Sequence, residues 1–147
     1  MTVCVDASFP LAFLLWDDEW QTTSRRWSDW LSRGEEIVSP ALFRSEVTSA
    51  IRLRVYAGKM ALEDGREALT RSLRWPVRIR PEFRDPAVLE VRAYELAAQF
   101  NRPRSYDAEY LAAAEILRCD LWTADKRLFN AVTHHLAWVR WAGEAVQ

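Results

Sequence analysis

The stretch Val3-Cys4-Val5-Asp6-Ala7-Ser8 decides the fold. An apolar strand ends on a carboxylate, and Ser8, two residues before Pro10, opens a helix, because serine suits an N-cap and proline's fixed φ suits a first turn. An acid so placed lies beyond the carboxyl end of a strand, where open parallel sheets bind their ligands. Leu121-Trp122-Thr123-Ala124-Asp125 repeats that context ahead of a predicted helix over 126–131.

Outward from this stretch, strand patterns recur at Glu36-Ile37-Val38, Val77-Arg78-Ile79, Asp120-Leu121-Trp122 and Leu136-Ala137-Trp138-Val139, with helical patterns between them. Such alternation predicts an α/β fold with a mainly parallel central sheet of five strands covered by helices. Ser39-Pro40 marks another helix start, and helices over 41–56 and 62–73 form a hairpin interrupted at Gly58, which accepts the left-handed conformation. A further helix covers 87–100. After the polar turn Asn101-Arg102-Pro103-Arg104, Ser105 is placed to cap an alanine-rich helix ending at Leu117.

Half of the 147 residues are apolar, enough for one core, so a single domain over 1–147 is expected. Twenty basic residues against 21 acidic ones exclude a strongly basic, field-driven nucleic-acid binder, and any such binding must be local. Lysine occurs only at Lys59 and Lys126. Cys4 and Cys119 fall in or beside buried strands and imply neither a zinc site nor a disulfide framework. The apolar run 7–16 falls short of the ~20 residues that span a bilayer and lacks the basic start of a signal peptide, so a cytoplasmic location is expected.

Asp6, Glu46, Asp107 and Asp125 form the candidate catalytic and metal-ligating set. Carboxylates crowded into one pocket repel unless protonated or neutralised, so a fold that gathers them does so to hold a hard, oxygen-seeking cation, Mg2+ or Mn2+. Taken singly, Asp125 serves equally well as a helix cap, and Asp107, in the first turn after Ser105, as a complement to the helix dipole. Glu46 is the odd residue, set among Leu42, Phe43, Val47, Ala50 and Ile51.

The motifs Val5-Asp6-Ala7-Ser8, Ser45-Glu46-Val47-Thr48-Ser49-Ala50-Ile51, Tyr106-Asp107-Ala108-Glu109-Tyr110-Leu111-Ala112 and Thr123-Ala124-Asp125-Lys126-Arg127-Leu128, in this order, resemble the PIN-domain ribonucleases. The resemblance runs the full length and is strongest to the VapC toxins of toxin–antitoxin pairs. It implies a three-layer α/β/α sandwich, an acidic quartet made of Asp6, Glu46, Asp107 and Asp125, and accompanying hydroxyls from Ser8 and Thr123. Ser49 stands where the family often has asparagine, so a different supporting hydrogen bond is expected there. The implied activity is Mg2+- or Mn2+-dependent hydrolysis of RNA, with one ion or two. The implied partners are a second copy of the chain and a VapB-like antitoxin whose tail enters the groove near the acids.

RNA approaching an anionic pocket needs cations at the rim, and Arg102 and Arg104 are the candidates for holding its phosphates. The adjacent His134 and His135, read on the last strand, would point to opposite faces, and neither is expected to be catalytic. Trp16, Trp20, Trp27 and Trp30 form an aromatic stripe, broken at Asp17-Asp18, that serves either the core or an interface. A haloacid-dehalogenase-like phosphatase is the competing enzyme, but it normally carries a second acid where Ser8 stands. A PIN fold that binds RNA without cleaving it is the other alternative.

Overall fold

A computed structural model describes all 147 residues. Five strands, β1 (Thr2–Val5), β2 (Glu36–Val38), β3 (Val77–Arg78), β4 (Leu121–Thr123) and β5 (Val139–Trp141), form one sheet in the order β3-β2-β1-β4-β5. Every pairing is parallel, with Val3 opposite Ile37 and Val5 opposite Trp122. Parallel strands need long crossovers, and seven helices supply them. They are α1 (Ser8–Leu14), α2 (Trp20–Ser32), α3 (Leu42–Tyr56), α4 (Leu62–Ser72), α5 (Pro86–Gln99), α6 (Tyr106–Leu117) and α7 (Lys126–Val132). Right-handed connections put α1 to α4 on one face and α5 and α6 on the other, giving the three-layer α/β/α sandwich. No helix is long and apolar enough to cross a membrane.

The chain moves outward from β1 to β2 and β3, then returns to lay β4 on the other side of β1. This reversal opens a crevice at the carboxyl ends of β1 and β4, and Asp6 and Asp125 follow those two strands. Covering helices must lie flat on a central strand that is buried on both faces. On one side α6 does so with Ala108, Ala112, Ala113 and Ala114, all 0% exposed, whose small side chains let it approach the sheet and α5 closely.

On the other side the core is aromatic. Trp30 stacks on Phe9 at 5.1 Å and meets Trp122 at 5.7 Å, while Trp27 packs against Phe13 and Trp75. Trp27 and Trp30 are therefore core residues. The stripe does break at Asp17-Asp18, since α1 ends at Leu14 and Trp16 takes φ +58° before α2 begins. Trp16 remains exposed, with its ring 4.6 Å from that of Trp20.

Several local expectations are corrected. Ser8 is not an N-cap: it lies inside α1, and its hydroxyl donates to Asp6, whose Oδ1 also accepts from the Phe9 N–H as a cap would. The Ser39 hydroxyl donates to the Val5 carbonyl at 2.7 Å, tying the end of β2 to that of β1, and α3 starts only at Leu42. Ser105 occupies the N-cap position of α6 without a side-chain capping bond. The last strand is Val139–Trp141 rather than 136–139, because the N–H groups of His135 and Leu136 still bond to Val132 and that of Val139 closes a turn onto Leu136. His134 and His135 consequently sit exposed in that turn, not on a strand.

Trp30→Ala removes a side chain locked between two aromatic partners and is expected to destabilise the fold by about 3–5 kcal/mol in urea unfolding. Trp16→Ala, at an exposed position, is expected to change it by less than about 1 kcal/mol. Equal losses at the two positions would contradict the division into core and surface.

Candidate metal centre

Asp6 is 4% exposed, and its setting explains how a carboxylate is tolerated there. Oδ1 accepts from the Ser8 hydroxyl at 2.5 Å and from the Phe9 N–H at 3.2 Å, and Oδ2 accepts from the Thr123 hydroxyl. Each hydroxyl in turn accepts a backbone N–H from the segment after β4: Ala124 to Ser8 and Asp125 to Thr123, both at 2.9 Å. Ser8 and Thr123 thus form a bridge between the ends of β1 and β4, with the carboxylate at its centre. Burial pushes the Asp6 pKa up to about 7, against the pull of the two hydroxyls and with a further push from Asp125.

Glu46 projects from the Phe43–Val47 side of α3 toward the same crevice. Its Oε1 is buried without a hydrogen-bond partner. Burial raises its pKa, the nearby Tyr110 hydroxyl works in the opposite direction, and Asp107 and Asp125 raise it further. These mutual influences bring the four acids of β1, α3, α6 and α7 into one electrostatic neighbourhood. They do not form a ready-made ligand set: no three His, Cys, Asp or Glu side chains converge as a cation would draw them.

The reason lies in what the other two acids do. Asp125 Oδ1 accepts from the Arg127 and Leu128 N–H groups, so it caps α7. Asp107 pairs with Arg102 at 3.1 Å. Arg102 is therefore turned inward, neutralising an acid rather than waiting for phosphate, while Arg104 is exposed and makes no ion pair. Ser49 is exposed on α3 and bonds to none of the acids, so the supporting hydrogen bond expected of it is absent.

Sequence reasoning missed two residues here. Tyr110, one turn along α6 from Asp107, is 1% exposed and places its hydroxyl against Glu46; the spacing of three alone would have put it on the face of the acid. Glu109 is half-buried, and burial, then Glu90 and Glu46, raise its pKa. Beside the Asp6 bridge opens a groove of about 520 Å³ whose lining includes Ser8, Leu11, Leu53, Ala124 and both lysines of the chain, Lys59 and Lys126. The anionic Asp17, Asp18 and Glu19 form another part of its wall.

The PIN domain family model matches residues 3–134. The chain belongs to the PIN-domain family. Its relatives include a VapC ribonuclease of Mycobacterium bovis and ribonuclease VapC9 of Mycobacterium tuberculosis, each 37% identical over 127 residues, covering 86% of this chain and 87% of the relative. Within the PIN family it is thus VapC-like, and the haloacid-dehalogenase alternative falls away.

The donor set fits the cation that the family implies. All candidate donors are oxygens, which select a hard divalent ion. The orphaned Glu46 oxygen and the raised Asp6 pKa both mark negative charge that the protein's own donors do not fully compensate.

The raised Asp6 pKa sets a sign for stability against pH. The folded protein keeps a proton on Asp6 up to about pH 7, whereas the ordinary carboxylate releases it near 3.8. In chelator, stability is then fullest below the lower value and falls as pH rises through the upper one. Asp6→Asn is expected to flatten the Tm-versus-pH profile and raise the Tm at pH 8, read by thermal unfolding in EDTA. A wild-type Tm that climbs across that interval would contradict the buried-carboxylate account.

Proposed function

We propose that this chain is a divalent-metal-dependent endoribonuclease that acts as the toxin of a toxin–antitoxin pair. The observation that carries the reading is the Asp6 carboxylate, held by Ser8 and Thr123 at the crevice of a PIN fold, together with the unpartnered Glu46, which shares the influence of Asp125 with it. Asp6, Glu46, Asp107 and Asp125 would hold Mg2+ or Mn2+. A divalent ion held there supplies Lewis acidity toward a phosphodiester and lowers the pKa of water.

The chain's own residues supply the rest. Ser8 and Thr123 fix the Asp6 carboxylate by both oxygens, so it meets a ligand already oriented and loses little freedom on binding. Asp107 is held through Oδ2 by Arg102 and Asp125 through Oδ1 by the α7 backbone, which leaves the other oxygen of each for an ion. Release of Arg102 from Asp107 would free a guanidinium at the rim for the RNA backbone, with Arg104 beside it. Lys59 and Lys126 line the groove that leads from the acids and suit the flanking phosphates. His134 and His135, exposed in the turn after α7, have no part in the chemistry.

The partners of this reading are a VapB-like antitoxin, whose tail would occupy the groove and approach the acids, and a second copy of the chain. The names of the relatives, ribonucleases of the VapC group, support the RNA substrate and the pairing with an antitoxin. The chain is read as one domain acting in the cytoplasm.

Purified protein is expected to cleave RNA with Mn2+ or Mg2+ and not in EDTA, and Asp107→Asn to lower the rate by more than about 100-fold while leaving the fold intact. Induced alone in a bacterial host, the wild-type chain is expected to arrest growth, with relief by co-expression of its antitoxin. RNA binding without metal-dependent cleavage would instead establish a PIN fold that only binds.

A further inference from the structure

We propose that Tyr110 is a positioning residue of this site: when a divalent cation is held there, its phenolic hydroxyl donates to the Glu46 carboxylate and fixes the orientation in which Glu46 meets the ion. The inference rests on the metal-dependent reading above and adds to it a residue outside the acidic quartet.

Tyr110 is the largest side chain buried to less than 2% exposure, yet its hydroxyl has no partner within hydrogen-bond geometry. A phenylalanine would fill the same space without burying a polar group, so packing does not account for the oxygen. The groups that act on the hydroxyl are the Glu46 carboxylate first, then the charge of Asp6 and the Ala7 backbone amide. An ionised carboxylate only accepts and an amide N–H only donates, so a phenol between them can accept from Ala7 and donate to one acid. The two Asp6 oxygens already take three donors, from Ser8, Phe9 and Thr123. Glu46 Oε1 has none, which makes it the acceptor that remains.

The bond has a specific consequence. The terminal torsion of glutamate is broad and roughly two-fold, so a carboxylate without a donor presents either oxygen toward an ion. A hydroxyl on one oxygen leaves the other for the cation, as donors to ligating groups do at metal sites. Tyr110 stands one turn from Asp107 on α6, so a single helix delivers one candidate ligand and the group that aims another.

The test compares Tyr110→Phe, Glu46→Gln and the double variant with the wild type, using Mn2+ alone as probe in titration calorimetry, thermal unfolding in chelator as the fold control, and RNA cleavage at rising Mn2+. Tyr110→Phe retains the ring and removes a hydroxyl that has no hydrogen-bond partner without the cation, so in chelator it is expected to unfold with the wild type. Its Mn2+ affinity is expected to fall about 10–100-fold, with no further loss in the Glu46→Gln background, and saturating Mn2+ is expected to restore its cleavage rate. A change in affinity below about twofold, an equal loss with and without Glu46, or a cleavage defect that Mn2+ does not repair would overturn the role of Tyr110 while leaving the nuclease reading in place. A wild-type protein that binds no Mn2+ would overturn both, and so tells the two failures apart.

Discussion

The structure turns on a buried carboxylate at the seam of two central strands. Asp6 sits where β1 ends beside β4, and the Ser8 and Thr123 hydroxyls hold it while accepting the N–H groups of Ala124 and Asp125. Each hydroxyl donates in one direction and accepts in the other, so neither strand end is left with an orphaned polar group. An unpaired charge in this position would be costly, and a lone hydroxyl bridge with no acid would leave donors unmet. The crevice is thus organised by the group it is built to present.

The other acids show how the same fold manages charge around that centre. Asp125 is occupied by the first turn of α7 and Asp107 by Arg102, so neither faces the pocket as a bare anion. Glu46 has no such partner, and burial with neighbouring acids raises its pKa. Asymmetry among chemically similar residues follows from the elements that carry them: a helix N-terminus supplies N–H donors, whereas the middle of α3 has none to offer, because its backbone groups bond within the helix. Compensation at Glu46 has to come from a side chain or an ion. The groove that leaves this pocket collects both lysines of an arginine-dominated chain, on α7 and beyond α3, together with the acidic residues Asp17, Asp18 and Glu19.

The support for this pocket lies in unlike layers on the two faces of the sheet. Alanines of α6 allow a helix to lie close to β1, which brings Asp107 and Tyr110 to the crevice at short range. Across the sheet, Phe9, Trp30 and Trp122 lock α1 and α2 over β4, and α1 carries Ser8. The aromatic core therefore acts on the site through the placement of one hydroxyl.

The sequence by itself determined the alternation of strands and helices, the parallel sheet, the helical hairpin with its Gly58 terminator at φ +72°, and the acids that follow β1 and β4. These are local matters, fixed by side-chain period, turn chemistry and the residue just beyond a strand. Tertiary structure alone decided which groups each polar side chain meets. Ser8 and Ser39 read as caps because serine often is one, but Ser8 donates to Asp6 two residues before it and Ser39 donates to the Val5 carbonyl of the neighbouring strand. Arg102 read as a cation for phosphates until α6 brought Asp107 beside it, and Tyr110 carried no reading of its own until the fold set it near Glu46. Hydrogen bonds between residues more than 100 positions apart leave no periodic trace in a chain, because they depend on which strand ends the crossovers bring together.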